Sequence, residues 1–225
     1  MSEILDKRQL LIKLYEVHDT LTREWKIACK KYCSECCTDH ICMTGLEGRL
    51  ILEYLRIKKL QDFLNQAIRP DKRYHPKTTI NQEAWLALHD KPIPEPEETP
   101  LNRCIFLTSD QCSIYPVRPM SCRTMVSTLS CHNAGHATMT TFQMSAATLF
   151  YQFIEMLDLG GYYGNYLNIL EMLTTPPETQ SIQLVMTKTP LLRNNRIHHV
   201  MIPPEHREEL IPVMNEIQNV LHTGK

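Results

Sequence analysis

The chain has 225 residues, 43% of them hydrophobic and 22% charged, enough to bury a core without covalent staples. A net charge of −1 supplies no whole-protein field that would draw it to nucleic acid or anionic lipid. No run approaches the ~20 apolar residues of a membrane span, and the opening MSEILDKRQLLIKL sets acids and bases before any apolar stretch, unlike a signal peptide. A cytoplasmic chain is expected, with no nucleic acid and no membrane among its partners; a protein or small-molecule partner stays unspecified.

In chain order, Leu11, Leu14, His18, Leu21, Trp25 and Ala28 recur at steps of three and four, so a long amphipathic helix is expected to run into the first cysteines. His18 reads as a core or boundary residue of that stripe. Thr44-x-x-Glu47 is a capping box opening a second helix, whose period continues through Leu50, Tyr54, Ile57 and Leu64 to Arg69-Pro70. Residues 71–79 read as a basic loop, and Asn81–His89 as a short helix. The prolines and glutamates of KPIPEPEETP, residues 91–100, predict an extended connector.

Cys104 to Tyr115 holds two β-prone runs around a polar turn, the pattern of a hairpin. Pro116 and Pro119 stop its second strand, and Pro119 is placed to begin a short helix carrying Cys122. Phe142–Leu159 predicts a helix ended by Gly160-Gly161, and Tyr166–Leu173 another, stopped by Thr174-Thr175-Pro176-Pro177. Gly160-Gly161-Tyr-Tyr-Gly164-Asn165 between them reads as a helix-to-helix turn. A last helix follows Pro203-Pro204 to about Leu221, with Pro212 as a kink. The fold class is mainly α, with one small β-hairpin and a cysteine cluster where the two thiol-rich segments meet. A single cysteine-cluster domain over 1–225 is expected, with a metal-binding core at 29–135 and a helical part at 136–225.

The cysteines carry the chemistry. Of nine, Cys29, Cys33, Cys36, Cys37 and Cys42 fall within fourteen residues, and Cys104, Cys112, Cys122 and Cys131 form the second group. Small core hydrophobes would scatter, so the segregation points to metal ligation in a chain that keeps its thiols reduced. Cys33-x2-Cys36 is a knuckle that aims two sulfurs at one point. Cys37 follows directly, and adjacent side chains diverge, so Cys36 and Cys37 are expected to serve different positions.

The hairpin permits a register argument. A two- or four-residue loop pairs Leu107 with Cys112 and leaves Cys104 and Cys112 on opposite faces. A three-residue loop, Ser109-Asp110-Gln111, pairs Thr108 with Cys112 and puts both on one face. Shared ligation therefore predicts the three-residue loop or a bulge. Cys122 would lie in a first helical turn, where free N–H groups favour a thiolate. Arg118 and Arg123 beside it either offset thiolate charge or are solvated.

Cys33-x2-Cys36-Cys37, Cys104-Ile-Phe-Leu and Cys112-Ser-Ile-Tyr-Pro-Val-Arg-Pro-Met-Ser-Cys122-Arg resemble the YkgJ-like cysteine-cluster family of zinc- or iron-chelating domains, over residues 29–135. The resemblance implies a thiolate metal site, often an iron–sulfur one, with no settled reaction. One branch resembles flagellin lysine methylases. Members commonly lack an equivalent of Cys29.

Cys29-x3-Cys33-x2-Cys36 also has the spacing by which radical S-adenosylmethionine enzymes hold a cubane. However, Glu35 stands where those enzymes carry an aromatic residue, and no repeated βα pattern surrounds it. His132 and His136 are one helical turn apart, but Asn133 and Gly135 argue against a helix and for solvated histidines. His198-His199 marks a surface turn.

The expected metal ligands are Cys33, Cys104, Cys112 and Cys122, with Cys36 or Cys37 next. They would hold an iron–sulfur cluster of the 4Fe–4S kind in a redox or cluster-carrying role. Zinc in a zinc-stabilised interaction module is the alternative, as is a cluster-dependent, methyl-transfer-like enzyme. Whether the chain is an enzyme stays open.

Overall fold

The computed structural model describes residues 2–30, 32–67, 73–134, 136–175 and 191–222. Helix α1, Ser2–Thr22, buries Leu11, Leu14 and His18. It stops short of the cysteines. Arg23 N–H bonds Thr20 O and Trp25 N–H bonds Thr22 O, tightening the end after two β-branched threonines, so Trp25 and Ala28 lie beyond the helix. Trp25 still packs, edge-on to Phe142.

Strand β1, Cys42–Thr44, leads into α2, Gly45–Lys58. The expected capping box is present: Thr44 accepts from Glu47 N–H, and the Glu47 carboxylate accepts from Thr44 N–H. α2 does not run on to Arg69. Lys59 is left-handed (φ 56°) and caps it, and a separate short helix α3, Asp62–Ala67, follows. Arg69 and Pro70 lie outside the described residues. α4 spans Ile80–Leu88, capped by the Thr79 hydroxyl, and 91–100 is extended and largely exposed.

The hairpin is β2, Leu107–Thr108, with β3, Gln111–Cys112; a 3-10 turn at Tyr115–Val117 leads to α5, Met120–Thr124. Pro119 is the cap of α5 rather than its first residue. Cys131–Ala134 is a single helical turn, α6. α7, Thr141–Leu157, opens with a second capping box, Thr140 with Gln143, and ends before Gly160, which takes φ 88°.

Tyr162–Asn165 is a strand, β4, and not merely a turn. It lies at the centre of an antiparallel sheet in the order β1-β4-β5, with β5 at Leu192–Arg193. The chain is mainly α, and among the described residues a second small sheet stands beside the expected hairpin. α8, Tyr166–Thr174, follows β4 directly; Pro176 and Pro177 lie outside the described residues. α9, Arg207–His222, follows a 3-10 turn and contains Pro212.

α2 divides the interior. Its Leu46 and Leu50 join Leu11, Leu14, Leu149, Phe150, Leu210 and Ile217, the meeting of α1, α7 and α9. Ile51 and Leu55 join Met43, Phe106, Ile114, Ile169 and Leu170, and this second cluster is the floor of the cysteine region. α2 and α8 approach closely at Gly48, where a Cβ would stand 2.7 Å from Ile169 Cγ2.

A polar stripe on α7 ties the outer elements down. The Glu155 carboxylate accepts from Asn81 N–H (2.8 Å) at the start of α4, and Asp158 accepts from Leu46 N–H (3.1 Å) at the start of α2. Each puts a carboxylate where unpaired helix N–H groups collect. Gln152 and Glu155 also accept from Met201 N–H and Asn195 N–H, fixing the strap that follows β5.

Candidate metal centre

The two thiol-rich segments meet by backbone pairing. Thr38 and Arg103 form an antiparallel bridge, Cys104 N–H donates to Cys37 O (3.0 Å), and Asp39 N–H donates to Asn102 O (2.9 Å). The Asp39 carboxylate locks the register by accepting from both the backbone and the side-chain amide of Asn102. In this register Cys37 faces Cys104, and directly opposed residues share a face. A turn closed by Cys37 N–H to Ser34 O, followed by Thr38 N–H to Cys36 O, folds the chain tightly at the pair Cys36-Cys37.

The hairpin register differs from the expectation. Leu107 pairs with Cys112 and Thr108 with Gln111, leaving a two-residue loop, Ser109-Asp110. Both loop residues have positive φ (48° and 60°), as a type I′ turn requires. Asp110 is held there by Arg103 and by the Ser34 hydroxyl. Opposite faces would follow only if Cys104 continued the strand. Instead Leu107 N–H bonds Cys104 O, a turn that takes Cys104 out of the alternation.

Cys37 and Cys122 each feel the charge of Cys104 and Cys112, and Cys104 and Cys122 feel each other's neighbours in turn. Cys104, Cys112 and Cys122 pack on the second core cluster, the apolar floor. Burial pushes the Cys122 thiol well up, Cys104 and Cys112 push it further, and the Arg118 guanidinium draws it back. The Cys104 and Cys112 thiols are raised mainly by burial. The adjacent Cys36 and Cys37 thiols affect each other, lowering Cys37 and raising Cys36.

Neighbouring donors partly offset that burial. The Phe106 N–H and the Tyr166 hydroxyl lower the Cys104 thiol, and the Ile114 N–H lowers that of Cys112. Each backbone donor lies two residues on from its cysteine, and its side chain is sunk in the floor, with Phe106 0% and Ile114 3% exposed. That is the physical content of Cys-x-Phe and Cys-x-Ile: one residue anchors the loop and supplies an N–H that favours a charged sulfur. Spacing alone carried this signal, but it becomes legible only once burial is known.

The other thiols divide differently. Cys33 is exposed; its N–H bonds Lys30 O, and it lines a pocket with Cys29 and Cys131. Cys36 lies between the groups, close enough to affect both Cys29 and Cys122. Cys42 stands apart on β1; burial pushes its thiol up to about 12, and its neighbours are Tyr163 and Glu83. His132 and His136 are exposed, as are His198 and His199.

Of the two arginines, only Arg118 acts on the thiols, stacked on Tyr115 with its guanidinium 3.7 Å from the ring. Arg123 is neither solvated nor turned to the sulfurs. It is buried, donating to Asp19, Pro116 O and Arg118 O and lying over Tyr15. Glu47, missed as a site residue, positions Cys122. Its carboxylate accepts from Met120 N–H (2.8 Å) at the start of α5, while the Ser121 hydroxyl donates to Cys42 O.

The donor set fits a thiophilic metal: soft sulfurs from both segments, N–H groups that favour their charged form, and an apolar floor. Among the described residues no three Cys, His, Asp or Glu side chains are drawn together as a metal-holding group, so ligation has to bring the thiols closer. No helix among the described residues is long and apolar enough to cross a membrane. No curated protein and no solved structure matches the chain. A family model does match, CxxCxxCC, described as "putative zinc- or iron-chelating domain", over residues 28–146, more than half of the chain. Cys29-x3-Cys33-x2-Cys36-Cys37 follows the spacing in that name with one residue more in the first gap. Paired thiol-rich segments on an apolar floor are what such a chelating domain requires, and the chain belongs to the CxxCxxCC family.

Proposed function

We propose that the chain holds an iron–sulfur cluster of the 4Fe–4S kind through Cys37, Cys104, Cys112 and Cys122, in a redox or cluster-carrying role. The carrying observation is the backbone pairing that sets Cys37 opposite Cys104, beside Cys112 and Cys122 on an apolar floor, where the Phe106 and Ile114 N–H groups favour charged sulfur. Hydrogen bonds to ligand sulfur and exclusion of water are the levers that set a cluster's potential, whereas a purely structural zinc has no potential to set. When bound, the cluster supplies one-electron chemistry. The chain's own part is to orient four thiols, to shield them with Phe106, Ile114 and Tyr166, and to offset their charge with Arg118. Cys36, hydrogen-bonded to Cys37, is the alternative ligand at that corner. Cys33, first among the expected ligands, is left out of this set because it is exposed and lines an open pocket with Cys29 and Cys131.

A zinc-stabilised module uses the same donors, and a methyl-transfer-like enzyme would add a substrate site. A radical S-adenosylmethionine mechanism draws no support from the fold, since no βα barrel is present among the described residues. Anaerobic purification with iron and acid-labile sulfide analysis tests the proposal. Iron and sulfide in equal amounts with visible charge-transfer absorption are expected. A colourless chain carrying about one zinc and no sulfide refutes the proposal and leaves the zinc module.

A further inference from the structure

We propose that the cavity between α4 and the strap after β5 binds a small monocarboxylate with a flat aromatic body. The cavity holds about 430 Å³, within the range of about 300–1,000 Å³ common for small-ligand clefts. It lies outside both thiol-rich segments, so the metal centre makes no use of it. Its floor is preformed. The Glu155 carboxylate accepts from Asn81 N–H (2.8 Å) and from Asn195 N–H (2.6 Å), and the Asn81 side-chain amide donates to Asn195 O (3.0 Å). These bonds fix α4 against the strap before anything binds.

Arg193 sets the sign of the ligand. Its guanidinium lies over the Tyr162 ring (4.0 Å) and donates to Gly160 O (3.0 Å), so it is held in place. Among the described residues no carboxylate pairs with it, and no Asp or Glu lines the cavity. Its remaining N–H groups form the planar fork that suits the two oxygens of a carboxylate. His198 lines the cavity as a further donor, and Lys91 adds positive charge nearby, its Nζ 4.5 Å from the Trp85 ring. Half-buried Trp85 and Leu192 supply apolar surface for the flat body of the ligand. The side-chain amides of Gln82 and Asn195 are placed to meet a heteroatom on that body. One fixed cation faces the cavity and the Glu155 carboxylate lies behind its floor, so a single negative charge is matched better than the two of a phosphate monoester. Binding forms no covalent bond.

Indole fluorescence tests the assignment, because Trp25 and Trp85 are the only two tryptophans of the chain and only Trp85 lines the cavity. The full-length chain is titrated with benzoate and nicotinate, and in parallel with their uncharged amides, benzamide and nicotinamide. At least one acid should change the emission saturably, with a signal absent in Trp85→Phe and kept in Trp25→Phe. Its amide should bind at least about tenfold more weakly, the factor expected for losing a charge-assisted hydrogen bond. Arg193→Gln should weaken the acid by about the same factor and leave the amide unchanged. Inorganic phosphate should compete no better than the amides. No saturable change with either acid up to about 10 mM, ten times a dissociation constant of about 1 mM, overturns the proposal. So does an amide that binds as tightly as its acid, a signal that persists in Trp85→Phe, or phosphate that displaces the acid more readily than the amides do. The comparison of acid with amide on the wild-type chain decides the matter even where a variant does not fold.

Discussion

Glu47→Ala removes one buried carboxylate that accepts from four donors: Met120 N–H (2.8 Å), Thr44 N–H (2.9 Å), Thr44 Oγ1 (3.0 Å) and Tyr15 Oη (3.1 Å). The two hydroxyls can turn to other acceptors, but the two backbone N–H groups cannot. Each stranded buried donor costs about 1–3 kcal/mol, so the loss centres on about 4 kcal/mol. For a chain of 225 residues that is about 8–16 °C in Tm.

The assay is thermal and urea unfolding of the reduced, metal-free chain, so that ligation does not mask the effect. Glu47→Gln separates shape from charge. Burial raises the Glu47 carboxyl, so the folded state keeps its proton to higher pH than the unfolded one. The stability tied to this group is full below the ordinary carboxylate range and is lost as pH rises through the folded value. The Gln variant should lose that slope. A fall of less than about 1 kcal/mol for Glu47→Ala would show that Glu47 is not the buried hub described, since even one stranded N–H costs as much.

Other outcomes follow from the same geometry. Cys112→Ser and Cys104→Ser should lose the metal of the main centre, whereas Cys42→Ala should retain it; metal content per chain, measured side by side, checks the ranking. Chelation should loosen residues 33–42 and 104–131 while α1, α7 and α9 stay protected. Equal hydrogen exchange of both segments with and without metal would contradict a centre shared between them. Arg123→Lys should cost about 1–3 kcal/mol in urea unfolding with metal affinity little changed, because the lysine cannot reach Asp19, Pro116 O and Arg118 O together.

What was legible in the sequence was local and periodic. The Thr44–Glu47 box, the α7 stripe and the Gly160 stop involve residues within a few positions of each other, and each was found. The family spacing also marked both thiol-rich segments. Strand β4 was missed because Tyr-Tyr-Gly-Asn is short, and it becomes a strand only through β1, more than a hundred residues before it, and β5 after it. The hairpin register was mistaken because alternation was carried back to Cys104, whereas the turn at Cys104–Leu107 breaks it. The division of the thiols could not be read from their order. Cys33 and Cys36 are a spaced pair in sequence, yet one lines a pocket with Cys131 and the other lies beside Cys37. Arg123 and Arg118 look equivalent by position, and only burial tells them apart.

The pairing of Cys37–Asp39 with Asn102–Cys104 makes everything between them an excursion that departs from one point and returns to it. Within that excursion α2 packs on α8 and α4 on α7, while the exposed stretch at 91–98 is tied at Lys91, over Trp85, and at Glu97, to Lys77. Doubling the length of a flexible loop costs only about 0.6 kcal/mol. Residues 93–96 are therefore the natural place to splice in extra chain, a fluorescent reporter or a second module. Such an insert would ride beside the sulfurs without entering their register, and its distance from them would be set by the prolines on either side.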